Sequence, residues 1–299
     1  MSNIGNIGNI GKIGLWTSAL DALPLAAALE QVNVLDEQGW GALWFGEAYG
    51  REALTAAALY LGASRRMAIA TGIANIHARD AVSAAAASWT LQTAYPGRFV
   101  LGLGVSHVPL VERLRGHDYG KPRTAMRSYL AAMDAAPFAE AGEEQPAPRV
   151  LAALGPKMLE LAREQADGAH PYLVTPEHTA SARAVLGSDK VLAVEQAVVL
   201  DGDVEQWRRR AHWHLEIYTG LPNYRMSWER QGFDESDFGR GGSDRLKQAL
   251  VARGEEQIRE RVQAHLAAGA SHVCVQVLGA DAVTVPAKDW RALAAVLLT

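Results

Sequence analysis

From Ile13 onward the chain alternates short apolar runs with longer stretches in which apolar residues recur every three or four positions. The first pattern is that of a strand buried on both faces, the second that of a helix with one face on a core. Strands are expected at Ile13 to Trp16, Ala42 to Phe45, Ala68 to Thr71, Phe99 to Leu103, Val150 to Ala153, Ala169 to Leu173, Val191 to Val199 and His272 to Leu278. Helices are expected at Leu25 to Gln38, Arg51 to Ala63, Ala81 to Ala94, Thr124 to Ala135, Pro156 to Ala166, Pro176 to Leu186, Val204 to Tyr218 and Glu255 to Ala268. The order is strand then helix throughout. In "EQGWGALWF", "ADGAHPYL" and "AAGASHVCV" a glycine closes a helix and a strand follows at once, the expected end of an α-helix.

About eight such units in 299 residues fit a (β/α)8 TIM barrel, an α/β fold, better than a doubly wound sheet. With 49% hydrophobic residues the chain can bury a large core, and no proline-rich or serine-rich linker divides it. Residues 13 to 299 are therefore expected to form a single domain. Residues 1 to 12, within the repeat "NIGNIGNIGKIG", carry too little apolar surface to offset chain entropy and are expected to be a frayed extension. One excursion, Gly220 to Ser243, follows the seventh strand and its helix and is rich in glycine and aromatics. In a barrel such an insertion is a candidate lid or substrate wall.

A net charge of -4 without a basic block gives no long-range attraction to nucleic acid or anionic lipid. Cys274 is the only cysteine and sits in the apolar run "HVCVQVL", which excludes a disulfide within the chain and a Cys cluster for zinc. No apolar stretch reaches the ~20 residues that span a bilayer, and no signal peptide is visible. A cytoplasmic protein acting on a small molecule is expected.

In a barrel, residues just past the carboxyl ends of the strands line the active-site face. The third strand ends in "ATGIANIHARD", where an apolar run stops at Gly72 and releases Asn75, His77, Arg79 and Asp80. Other strand ends add Thr17 and Ser18, Glu47, Ser106 and His107, and His170 and Tyr172. Neutral groups such as Ser106 and Asn75 suit the orienting of a cofactor ring, and either His107 or His77 could carry a proton near neutral pH. Gly155 and Pro156 open a helix whose free amides suit a phosphate. Arg79, Lys121 and Arg123 lie in or near loops, where they are either partners for an acidic group or ordinary solvated charges. Gly102-Leu103-Gly104 lacks the third glycine and the acidic partner of a dinucleotide fingerprint. His212 and His214 diverge by ~200° on a helix and cannot share a metal ion.

The runs "GALWFGEAYG", "MAIATGIANIHARDAVSAAAASWTLQTAYPGRFVLGLGVSH" and "VLAALGPKMLELAREQADGAHPY" resemble the bacterial luciferase-like superfamily of flavin and deazaflavin barrels. Within it, the chain is most similar to oxidoreductases that use coenzyme F420. The resemblance implies a luciferase-like barrel with a non-prolyl cis peptide at Gly72-Ile73, pressed against the middle of the cofactor ring. It also implies an acidic residue near the ring at Glu47, where a helix-start carboxylate is the alternative. The histidine that sugar-phosphate dehydrogenase relatives carry next is Ala48 here, which sets their proton-transfer scheme aside. His107 matches a position from which relatives aim a polar side chain at the reactive face. The implied activity is hydride transfer between the deazaflavin and an organic substrate. FMN-dependent monooxygenation and cofactor binding without turnover are the alternatives, and a homodimer is implied.

Overall fold

The computed structural model describes residues 10–137, 146–281 and 284–298. In chain order the elements are β1 (Ile13–Trp16), α1 (Leu25–Glu37), β2 (Ala42–Phe45), α2 (Ala53–Ala63), β3 (Ala68–Thr71), β4 (Ala74–Asn75), α3 (Ala81–Ala94), β5 (Phe99–Gly104), α4 (Pro122–Asp134), β6 (Arg149–Leu151) and α5 (Pro156–Gln165). There follow β7 (Gly168–Ala169), α6 (Pro176–Leu186), β8 (Val191–Val199), α7 (Val204–Tyr218), α8 (Pro222–Glu229), α9 (Asp244–Leu250), β9 (Val251–Arg253), α10 (Gly254–Ala267), β10 (His272–Val277) and α11 (Ala287–Leu297). Among the described residues, β1, β2, β3, β5, β6, β7, β8 and β10 pair in parallel, and β10 closes the circle onto β1. The expected eight-stranded barrel is the fold. β4 and β9 are short continuations beyond the rim, paired to β5 and β8.

Alternation along the strands divides the core into two shells, because successive side chains point to opposite faces. Along β2, Ala42 and Trp44 face the barrel interior, while Leu43 and Phe45 face the helices. Small residues fill the inside: Ala68, Ala70, Val100, Ala193 and Cys274 surround Trp44. The Trp44 indole N–H donates to His272 Nε2 at 3.0 Å, and His272 Nδ1 donates to the Gly11 carbonyl at 2.9 Å. Ile10, 6% exposed, also packs inside. Residues 10 and 11 of the expected extension thus pack on the barrel, and residues 1–9 of it lie outside the described ones.

Several strand ends fall short of the apolar runs that announce them. β7 stops at Ala169 although hydrophobicity continues to Leu173, because Pro171 has no amide to offer a neighbour and Leu173 takes a left-handed φ of 53°. β6 likewise stops at Leu151, not Ala153. The Gly220–Ser243 excursion contains α8 and a 3-10 turn at Glu235–Asp237. Its Tyr224, Trp228, Phe233 and Phe238 join Leu173, Val199 and Trp207 in a second apolar cluster. It is a packed wall on the barrel.

The tightest strand contact lies between β3 and β5. A Cβ on Gly102 would stand 1.9 Å from the Thr71 carbonyl oxygen. Beside this backbone contact the Thr71 hydroxyl donates to the Gly102 carbonyl at 2.7 Å and accepts from the Gly102 amide at 2.8 Å. The glycine pair in "GLG" thus serves strand packing, not nucleotide binding. Gly102→Ala forces two backbones apart, so urea unfolding should show a loss of about 3 kcal/mol or more, at the severe end of overpacking. An unchanged midpoint would contradict the contact.

Candidate active site

Past Thr71 the chain leaves the barrel wall. The Gly72-Ile73 peptide is cis, as the family resemblance implies. The Gly72 amide donates to the Phe45 carbonyl at 2.6 Å, the Gly72 carbonyl accepts from the Trp16 indole at 3.0 Å, and the Ile73 carbonyl accepts from the Glu47 amide at 3.1 Å. The Ile73 side chain lies over Gly104, where a Cβ would meet it at 2.4 Å. Gly72 and Ile73 remain partly exposed at the carboxyl end of the barrel. A Cβ on Gly72 would stand 2.7 Å from the Trp16 indole nitrogen and 2.9 Å from His170 Nε2, so glycine lets the bulge close against these two rings.

Glu47, 9% exposed, is tied on every side. One oxygen accepts from the Asn75 amide at 2.8 Å; the other accepts from the Ala53 amide at 3.2 Å and pairs with Arg79. Arg79 also pairs at 2.5 Å with Glu52, which caps the start of α2. The expectation of Arg79 as a cation available to an acidic ligand is corrected here: its guanidinium is buried against two carboxylates. Glu47 sits where a helix-start carboxylate would, and fixes the loop after the bulge. The Asn75 side chain accepts from the His77 amide at 2.9 Å. His77 lies under the rings of His117 and Tyr119, at 6.5 and 6.1 Å. Burial, followed by the His117 and Arg115 charges, lowers its pKa.

Ser106 holds a φ of 59° and so turns the chain sharply after β5, a conformation that costs a non-glycine residue about 1 kcal/mol or more. His107 follows, partly exposed, its pKa lowered by burial. Its ring lies 5.9 Å from Tyr224 of the insertion. From there an aromatic arc continues through Tyr218 at 4.8 Å, Tyr172 at 5.5 Å and Trp16 at 5.3 Å, and Trp16 returns to Gly72. The arc joins the ends of four strands, β1, β3, β5 and β7, to α7 and the insertion. His214 is part of it, 5.4 Å from Tyr218, whereas His212 packs on Gly241. The two histidines point apart as their spacing requires.

The fifth barrel strand leads to another feature. Gly155 caps α5 without a side chain, and Pro156 occupies its first turn. Arg230, from the turn after α8, reaches the same spot: its Nη2 donates to the Leu154 carbonyl at 3.2 Å and lies 3.5 Å from where a Cβ on Gly155 would stand. Lys121 and Arg123 are exposed at the start of α4. Arg230 escapes sequence reasoning because only the folding of the insertion brings it to α5, 76 residues away from its carbonyl partner.

The luciferase-like monooxygenase family model matches residues 12–282. The chain belongs to that family. A Mycobacterium tuberculosis protein named as a coenzyme F420-dependent oxidoreductase is 31% identical over 117 residues, 39% of this chain and 34% of its own length. A Mycobacterium bovis protein of uncharacterised function is 29% identical over 176 residues, 50% of this chain and 52% of its own length. The chain thus spans between a third and about half of the length of these relatives. A solved F420-dependent secondary alcohol dehydrogenase, bound to an F420-acetone adduct, superposes with a TM-score of 0.75 at 15% identity, covering 96% of this chain and 98% of that one. The FMN-bound oxygenating constituent of a Pseudomonas putida 3,6-diketocamphane monooxygenase superposes at 0.67 and 14% identity, covering 95% of each chain. These two likenesses establish the luciferase-like barrel. Among the described residues no helix is long and apolar enough to cross a membrane.

Beneath the arc of this family barrel lies Glu195 of β8, fully buried and the one acidic residue in the run "VLAVEQAVV". One carboxyl oxygen accepts from the Leu173 amide at 3.0 Å, and the other has no partner. Burial raises its pKa to about 8, so it carries a proton at neutral pH. Burial lowers His170, His214 and His272 to about 4, so these stay neutral. His170 Nδ1 donates to the Ala193 carbonyl at 2.9 Å, which leaves Nε2 as a bare acceptor facing Gly72. The stability held by Glu195 is fully present below about pH 4.5 and is lost as pH rises toward 8, since only the unfolded chain releases the proton in that window. The histidines act oppositely, losing stability as pH falls from 6.5 toward 4. Glu195→Gln should therefore gain on the parent protein by about 2 kcal/mol or more between pH 5 and pH 8 in urea unfolding. A pH-independent difference would refute the protonated carboxyl.

Proposed function

We propose that this protein is a deazaflavin-dependent oxidoreductase that binds coenzyme F420 across the carboxyl face of the barrel. The observation that carries this reading is the partly exposed Gly72-Ile73 bulge, with the uncapped, Arg230-flanked start of α5 on the same rim. The first suits a flat tricyclic ring, and the second suits a phosphate, since unpaired amides and a guanidinium both favour an anion. The relative named for F420 dependence and the F420-bound structural neighbour support the same choice. When bound, the deazaflavin would supply the hydride chemistry. The protein would orient the ring with the bulge and Ser106, hold the phosphate with Gly155, Pro156 and Arg230, and manage the substrate proton with His107. Lys121 and Arg123 are exposed cations for the acidic tail beyond the phosphate. Glu47 would act through the loop it fixes, as a positioning residue.

The FMN-bound neighbour and the family's name favour a second reading, an FMN monooxygenase. Titration with each cofactor, followed by fluorescence, separates the two. The deazaflavin should bind more tightly than FMN, with a preference that shrinks as salt rises or in Lys121→Ala, because FMN has no acidic tail. Arg230→Ala should weaken both about tenfold through the shared phosphate. Tighter FMN binding, indifferent to Lys121, would favour the monooxygenase.

The homodimer is proposed on the composition of two neighbouring helices. Neither α2 nor α3 contains a charged residue, yet Leu59 and Val82 are 38% and 49% exposed on them. Two adjacent, charge-free helices on a barrel surface are ready to pair with a second copy of themselves. Sedimentation should show a dimer that Leu59→Lys converts to a monomer; a monomeric parent protein would overturn this assignment.

A further inference from the structure

The arc from Trp16 to His107 is built of aromatic rings alone, with no Asp, Glu, Lys or Arg among them. Its partly exposed members, His107, Tyr172, His214 and Tyr218, face the open end of the barrel. The hydrogen bonding at its centre is uneven. The Tyr172 hydroxyl donates to Gln276 Oε1 at 2.6 Å, a firm bond. Tyr218 Oη and His214 Nε2 each approach that same hydroxyl only to 3.4 Å. Both contacts are well beyond the ~2.8 to 3.0 Å of a good hydrogen bond. Two polar tips thus converge on one oxygen already engaged elsewhere, and each retains hydrogen-bonding capacity.

We propose that this arc is the substrate wall, and that it takes an uncharged, ring-bearing molecule with one carbonyl or hydroxyl oxygen held by Tyr218 Oη and His214 Nε2. The proposal rests on the reading of the carboxyl face as the active site. It adds the substrate's chemistry: flat apolar bodies pack on aromatic faces, while a charged group here would find no counter-ion. Burial keeps the His214 imidazole neutral and the Tyr218 phenol protonated, which fits a neutral ligand. A carbonyl oxygen could accept from Tyr218 and from His214 in its Nε2–H tautomer, whereas a hydroxyl could accept from Tyr218 and donate to a bare Nε2.

Calorimetric titration tests this with acetophenone, benzoate and toluene, a neutral ketone, an anion and a hydrocarbon of similar outline. Each is run with and without bound deazaflavin. Acetophenone should bind at least a hundredfold more tightly than benzoate, because a desolvated carboxylate stays unpaired. Tyr218→Phe should weaken acetophenone about fivefold and leave toluene unchanged, as expected for one lost hydrogen bond without lost packing. His214→Leu, which keeps apolar bulk, should do the same. Benzoate binding as well as acetophenone, absence of acetophenone binding in both states, or equal losses for acetophenone and toluene in both variants would each overturn the proposal. The outcomes are independent of the cofactor reading: deazaflavin binding without acetophenone binding sinks this inference alone, and the converse sinks only the cofactor assignment.

Discussion

The rim of this barrel is organised by the approach of Thr71 to Gly102. The Thr71 carbonyl oxygen occupies the space a side chain at 102 would need, and the Thr71 hydroxyl bonds both the amide and the carbonyl of Gly102. That pair of bonds pins the last residue of β3 against β5, so the chain must step outward at Gly72. Each following contact depends on that step. Ile73 settles over Gly104, its carbonyl takes the Glu47 amide, and the Glu47 carboxylate then gathers Asn75, Ala53 and Arg79. A carboxylate buried this deeply needs a counter-charge and several donors to offset lost hydration, and it has them. Removing Arg79 would leave an unpaired charge beneath the bulge, so this residue belongs to the scaffold of the site.

The barrel itself was legible because eight apolar runs and their intervening helical periodicities are local properties of the chain. The bulge at Gly72-Ile73 was legible through the resemblance alone, whereas the abrupt change from apolar to polar residues marked only the strand end as part of the active-site face. Pairings between distant residues were not legible. Arg79 reads in sequence like any loop cation, and only its return toward Glu47, 32 residues earlier, shows that it is neutralised. The helices of the insertion were missed because glycine and aromatic content announces an irregular segment, whereas Trp228 and Tyr224 are ordered by burial against Leu173 and Tyr218. The short β7 was overestimated for the opposite reason: hydrophobicity runs through His170 to Leu173, but Pro171 ends the ladder.

His214 shows how one residue type can mislead. Beside His212 it suggests a metal ligand until helical spacing separates them, and then it suggests nothing further. Folding places it against two tyrosines, in surroundings that keep it neutral. Glu195 was the stronger unread signal, since an acid inside an otherwise apolar strand must be paired or protonated. With no cation beside it and a single amide on one oxygen, it is protonated.

The electrostatics of the carboxyl face divide it into two regions. Toward β6 and α5, the uncapped helix start and Arg230 make a positive end suited to a phosphate. Toward β1, β7 and the inner face of α7, burial holds Glu195, His170, His214 and Tyr218 neutral, and the rings present only weak hydrogen-bonding tips. A molecule with an anionic tail and a flat body gains most by laying its tail on the first region and its ring on the bulge between the two. That orientation would leave the neutral arc uncovered. On the proposed function, the same burial that makes Glu195, His170 and His214 costly to ionise would keep cofactor and substrate apart, because a charged substrate would be drawn to Arg230 and a neutral one would have no reason to leave the aromatic wall.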